Sequence, residues 1–190
     1  MADIDFSKIQ LLVLDVDGVM TDGRIILTPA GDEIKEFHVR DGSAMLAWRR
    51  LGKKLAIITG RSSPVVELRA RSLGVDALHV GAADKLPAYE AVLAQLGCTP
   101  DQTAVIGDDL TDLPILTRCL LPIAVGDACD EAKLVSAYVT RAGGGRGAVR
   151  EAVELILHNA GLWETLVARY LPQGLQPREK LNNKHYRDCP

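Results

Sequence analysis

Short apolar runs, each closed by a polar or glycine cluster and separated by helix-patterned stretches, leave this chain few folds to adopt. The runs lie at 11–14, 54–59, 103–106 and 123–125. Runs this short and this apolar read as strands buried on both faces. Between and after them, 42–51, 64–73, 84–96, 128–134, 149–157 and 162–170 read as helices, several with apolar residues at helical spacing, and weaker strands read at 77–80 and 138–140. Strand and helix alternating through short loops predict parallel β/α units in an α/β fold with a doubly wound, mostly parallel sheet. One stretch breaks the alternation. Residues 24–39 are strand-like on both sides of a Pro29-Ala30-Gly31-Asp32 turn, and they predict a β-hairpin. The expected organisation is one domain over 1–171 and a polar, turn-rich, mobile tail over 172–190.

In such a sheet, ligands bind at the carboxyl ends of the strands, so the residues closing each run carry the functional information. The first run delivers Asp15 and Asp17, then Gly18. Side chains alternate along a strand, so the two carboxylates leave the same face. Close carboxylates repel unless a cation or a shared proton relieves them, which points to a hard metal, an acid/base couple or both. Taken alone, an Asp-x-Asp-Gly reads more readily as a pair of solvated turn residues. The second run ends in Thr59-Gly60-Arg61, Lys85 opens the helix after the weak third strand, and the fourth run ends in Asp108-Asp109 with Asp112 beyond. Two carboxylates, a hydroxyl, a lysine and an acidic cluster on one rim suit phosphoryl transfer: a carboxylate nucleophile, a metal against the phosphate, and Lys and Thr donating to its oxygens.

Composition excludes other classes. Net charge is −3 and aromatic residues make up 4% of the chain, which opposes a nucleic-acid surface. No apolar run reaches the length of a membrane span. MADIDFSKIQ at the start is acidic and unlike a signal peptide. Cys98, Cys119, Cys129 and Cys189 form no Cys-x-x-Cys pair and read as reduced packing thiols in a cytoplasmic protein.

The segments LDVDGV, IITGR, Lys85 and GDDLTD resemble, in order and spacing, the four motifs of the haloacid dehalogenase superfamily of phosphohydrolases. The resemblance implies Mg²⁺ as cofactor, held by Asp15, the backbone carbonyl of Asp17, and Asp108. It implies Asp15 as nucleophile and Asp17 as general acid and then base. Thr59 and Lys85 would bind the phosphoryl oxygens, and Asp109 and Asp112 would support the metal from behind. An acid at Asp17 favours a phosphatase over the ion-pumping relatives, which carry Thr there. Residues 18–58 are used up by the hairpin, a helix and a strand, and no insertion precedes Asp108, so no cap domain fits. Desolvation of the open site then falls to the hairpin of a neighbouring subunit.

Within the superfamily, TDGRI, EFHVRDG, ITGR and VTRAGGGRGAVRE closely resemble the capless 3-deoxy-D-manno-octulosonate 8-phosphate phosphatase family. That resemblance implies a homotetramer assembled through the hairpins and a place in lipopolysaccharide precursor synthesis. It implies substrate contacts from Asp17, His38, Val39, Arg40, Asp41, Gly42, Gly60, Arg61, Arg69 and Lys85. Arginine forks suit a substrate bearing both carboxylate and phosphate. His38 and Leu46 depart from the residues expected of relatives there. A nine-carbon sugar-acid 9-phosphate phosphatase and a catalytically silent tetramerisation module remain alternatives. A phospho-accepting receiver domain is opposed by strand order, since its acidic pair comes first and its acceptor Asp on the third strand. The run Gly143-Gly144-Gly145-Arg146-Gly147 lacks Gly-Lys-Ser/Thr, so it is no nucleotide P-loop; it reads either as a linker or as a loop at the site rim.

Overall fold

The computed structural model describes residues 4–171. The expected tail, with Cys189, lies outside them. Strand β1 (Leu11–Leu14) is buried throughout and sits in the middle of a six-stranded sheet. On one side follow β4 (Lys54–Ile58) and β5 (Ala77–His79); on the other β6 (Thr103–Gly107), β7 (Leu121–Ala124) and β8 (Tyr138–Val139). Every pairing is parallel. This is the α/β parallel sheet that the alternation predicts, with the order β5-β4-β1-β6-β7-β8.

Register explains why distant motifs meet. Leu14 pairs with Ile57 on one side and Ile106 on the other. The residues just beyond these, Asp15, Thr59 and Asp108, therefore leave the same edge of the sheet.

The crossover helices are α1 (Val39–Arg50), α2 (Pro64–Leu73), α3 (Lys85–Leu96), α4 (Leu113–Leu116) and α5 (Asp130–Val135); α6 (Ala148–Asn159) and α7 (Trp163–Ala168) follow the last strand. Helix α1 packs on α6, and Trp48 is fully buried between them and the sheet, its indole donating to the Lys54 carbonyl at 2.8 Å. Asp84 caps α3 by accepting from the Leu86 amide, so Lys85 stands in the first turn and faces inward. Cys98, Cys119 and Cys129 are free thiols. Among the described residues no helix is long and apolar enough to cross a membrane, and no cap domain interrupts the sheet crossovers.

Two elements differ from expectation. Helix α1 begins at Val39, not at 42, so His38 is its N-cap and Arg40, Asp41 and Gly42 are helical. Asp41 explains the earlier start: its buried carboxylate accepts from the Gly147 and Arg150 amides at 3.2 and 2.7 Å, which fixes the first turn of α1 against the start of α6. The hairpin is also smaller. Only Ile26–Leu27 (β2) and Glu33–Ile34 (β3) pair, antiparallel. Its apolar side chains point outward, with Leu27 62% and Ile34 48% exposed.

Candidate active site

At the carboxyl edge of β1 and β6, Asp15, Asp108 and Asp112 bring carboxylate oxygens within 4.8 Å of one another. Lys85 lies between two of them, its Nζ 2.7 Å from Asp15 Oδ1 and 2.6 Å from Asp112 Oδ1. Asp112 is fully buried and fully used: its Oδ2 accepts from the Asp108 and Asp109 amides at 2.9 and 3.2 Å. It is thus a strut that holds the Asp108 loop and Lys85 together. Asp109 is exposed, and its carboxylate caps the following 3-10 turn at the Leu110 amide.

Three carboxylates against one ammonium leave an excess of negative charge in a partly dry site. Burial pushes Asp108 up to about 8, with Asp15 and Asp112 adding to the rise. Burial likewise pushes Asp15 up to about 6, against the pull of Lys85. Burial acts to lower the Lys85 ammonium, yet Asp15 and Asp112 together outweigh it and leave it raised. Such a cluster takes up a hard cation readily, because a divalent ion relieves the repulsion that otherwise keeps a proton on Asp108. The local backbone makes room for this. Gly18 has φ +97°, and a Cβ there would collide with the Asp108 carboxylate.

Thr59 is buried just past β4, its Oγ1 accepting from the Arg61 amide at 3.4 Å. Gly60 and Arg61 are exposed on the same rim. Asp17 meets Arg61, with Nε 3.8 Å from its Oδ2, and also accepts from Lys35 of the hairpin. Lys35 is a residue that sequence reasoning missed, along with Glu33 and Ser63. Glu33 binds Lys35, Arg61 and the Ser63 hydroxyl, so Ser63, at the N-cap of α2, spends its side chain on the hairpin and not on the helix.

The remaining expected contacts are found with other partners. Asp41 serves α6, as above, and His38 Nδ1 lies 3.7 Å from it. Val39 and Arg40 are exposed. Arg69 lies across the Phe37 ring at 5.4 Å and fills the space beside Gly42. The glycine run resolves in favour of the rim. The Gly145 amide donates to the Val19 carbonyl at 2.9 Å, and a Cβ on Gly144 would collide with the Gly18 carbonyl. The run is a backbone brace behind the Asp15–Gly18 loop. A separate apolar cavity of about 400 Å³, lined by Ala47, Val153, Trp163, Leu166 and Tyr170 among others, lies between α1, α6 and α7 and holds none of these acids.

Comparison with known proteins agrees with this geometry. A family model described as haloacid dehalogenase-like hydrolase matches residues 30–119. The 3-deoxy-D-manno-octulosonate 8-phosphate phosphatase KdsC of Yersinia pestis is 48% identical over 151 residues, covering 80% of this chain and 81% of the relative. The chain belongs to the 3-deoxy-D-manno-octulosonate 8-phosphate phosphatase family. The Escherichia coli K12 member is 44% identical over 80% of both chains. Among solved structures, the family's enzyme from Moraxella catarrhalis, in complex with magnesium, phosphate and KDO, superposes with a TM-score of 0.85 at 40% identity, covering 87% of this chain and 95% of that one. Membership makes the protein a phosphoric monoester hydrolase of the haloacid dehalogenase superfamily.

Proposed function

We propose that the protein is a Mg²⁺-dependent phosphatase that hydrolyses 3-deoxy-D-manno-octulosonate 8-phosphate to the free sugar acid and phosphate. The reading carries with it a cytoplasmic step of lipopolysaccharide precursor synthesis. The observation that carries it is Lys85 held between Asp15 and Asp112 beside Asp108, in a chain of this family.

In this reading Asp15 is the nucleophile. Lys85 occupies its Oδ1, which leaves Oδ2 to attack phosphorus. As that bond forms, the bond from phosphorus to the sugar oxygen breaks, and Asp17 gives the leaving oxygen a proton. Asp17 then takes a proton from water as the water oxygen attacks the aspartyl-phosphate and frees Asp15. Lys85 and Thr59 donate to the phosphoryl oxygens. Mg²⁺ fits Asp15, the Asp17 carbonyl and Asp108, where Gly18 makes room for the Asp108 carboxylate, and when bound it neutralises phosphoryl charge. Asp112 and Asp109 brace that loop. Arg61, beside Asp17, is the best-placed cation for the substrate's carboxylate end, with Gly60 next to it and Arg69, Arg40, His38 and Val39 further out.

The reading extends to a homotetramer built through the hairpin, whose outward Ile26, Leu27 and Ile34 would be covered by assembly. The deciding experiment is phosphate release from the eight-carbon acid 8-phosphate, a nine-carbon acid 9-phosphate and hexose 6-phosphates, with Mg²⁺ and with chelator. Selective, chelator-sensitive release from the eight-carbon ester is expected. Preference for the nine-carbon ester would transfer the assignment to that substrate, and no release at all would leave an assembly module.

A further inference from the structure

Asp17 is gripped by a residue outside the four strand-end motifs. Lys35 donates to Asp17 Oδ1, and its Nζ lies 3.2 Å from Glu33 Oε1; its side chain is only 1% exposed. Glu33 accepts from Arg61 Nη2 at 3.0 Å and from Ser63 Oγ at 2.5 Å. Arg61 Nε returns to Asp17 Oδ2 at 3.8 Å. Two acids and two cations so form a closed ring that joins the hairpin to the ends of β1 and β4. Burying a lysine costs several kcal/mol unless it is paired. Here the chain turns the lysine in and leaves its neighbour Ile34 out. Asp17 Oδ2, in contrast, is buried without a hydrogen-bond donor among the described residues.

We infer that Lys35 is a positioning residue for Asp17: it ties down Oδ1 so that Oδ2 is the oxygen that moves the proton. This rests on the reading of Asp17 as proton donor and acceptor given above. In the first half-reaction, Asp17 Oδ2–H passes its proton to the sugar oxygen as the phosphorus–oxygen bond breaks and the Asp15–phosphorus bond forms. In the second, Oδ2 takes a proton from water as water's oxygen bonds to phosphorus and the Asp15–phosphorus bond breaks. Lys35 neither gains nor loses a proton. Because it belongs to the hairpin, proton transfer depends on the same element that presents the apolar assembly face.

The test compares two esters in the Mg²⁺-loaded full chain. The 8-phosphate leaves as an alkoxide and needs a proton. p-Nitrophenyl phosphate leaves as a stable phenolate and needs little help. Lys35→Met is expected to lower kcat/KM about 10- to 100-fold on the 8-phosphate, within the range that general acid catalysis supplies. On p-nitrophenyl phosphate the expected loss is under about 3-fold, on the same principle. Lys35→Arg should recover most of the loss, and Lys35→Gln serves in place of Met if that variant does not fold. Equal losses on both esters, a rise in KM with kcat unchanged, or no loss on the 8-phosphate would each overturn the inference. Wild-type protein inert towards both esters would instead strike the phosphatase reading itself, and this inference with it.

Discussion

Asp108 occupies the space that a side chain at Gly18 would need. The pairing joins the loop after β1 to the loop after β6, and both loops carry acids of the cluster. Gly18→Ala must displace Asp108 and also hold alanine at φ +97°, a left-handed strain of about 1–2 kcal/mol. The variant should need far more Mg²⁺ for half-maximal activity than wild type, with only a modest loss of melting temperature. Titration of activity against Mg²⁺ measures this, and an unchanged midpoint would show that Asp108 does not hold the metal.

Asp15→Asn keeps the shape and removes the charge that faces Lys85. Turnover should fall at least about 10³-fold, the scale on which losing a nucleophile is felt, while circular dichroism stays that of wild type. Activity near that of wild type in this variant would sink the aspartyl-phosphate mechanism.

In the metal-free protein Asp15 and Asp108 sit near 6 and 8 when folded, above the ordinary 3.8 of an aspartate. At these two groups the folded state therefore binds more protons than the unfolded one, so the stability they contribute falls as pH rises from about 4 to about 8. Mg²⁺ reverses this by taking the proton's place. At a concentration 100 times its dissociation constant a ligand adds about 2.7 kcal/mol, or about 5–10 °C for a chain this size. Thermal melts with chelator and with Mg²⁺ should diverge more at pH 8 than at pH 5.5, and a gap independent of pH would contradict it.

Leu27→Glu and Ile34→Glu place charge on the outward face of the hairpin, where neither residue meets the core. On the proposed tetramer, light scattering should report a protomer mass for these variants without loss of the α/β fold. An unchanged mass would move the assembly surface elsewhere.

The sheet was readable because β1, β4 and β6 are buried on both faces, so local hydropathy and tertiary burial agree. The acids at their ends followed from strand register. What escaped depends on partners far along the chain. Val39, Arg40 and Asp41 read as lying outside the helix because their helical turn is fixed by amides of α6, to which Asp41 is bound. Nothing local in the hairpin marks Lys35 as buried, because the partner that rewards its burial beside Glu33 is Asp17, an acid on the loop after β1. Ser63, at the N-cap of α2, gives its hydroxyl to Glu33 and not to the helix.

The brace behind the nucleophile loop sets an order for synthesis. Asp15 to Gly18 emerge early from the ribosome, but Gly144 and Gly145, whose backbone lies against Gly18 and Val19, emerge only in the last third of the described chain. Contacts so far apart in sequence close late, because a long loop must be ordered before they form. A nascent or truncated chain that already carries Asp15, Asp17, Lys85 and Asp108 thus lacks the backing that holds its first loop in shape, and the emergence of Gly144 and Gly145 is the point at which the site can become complete.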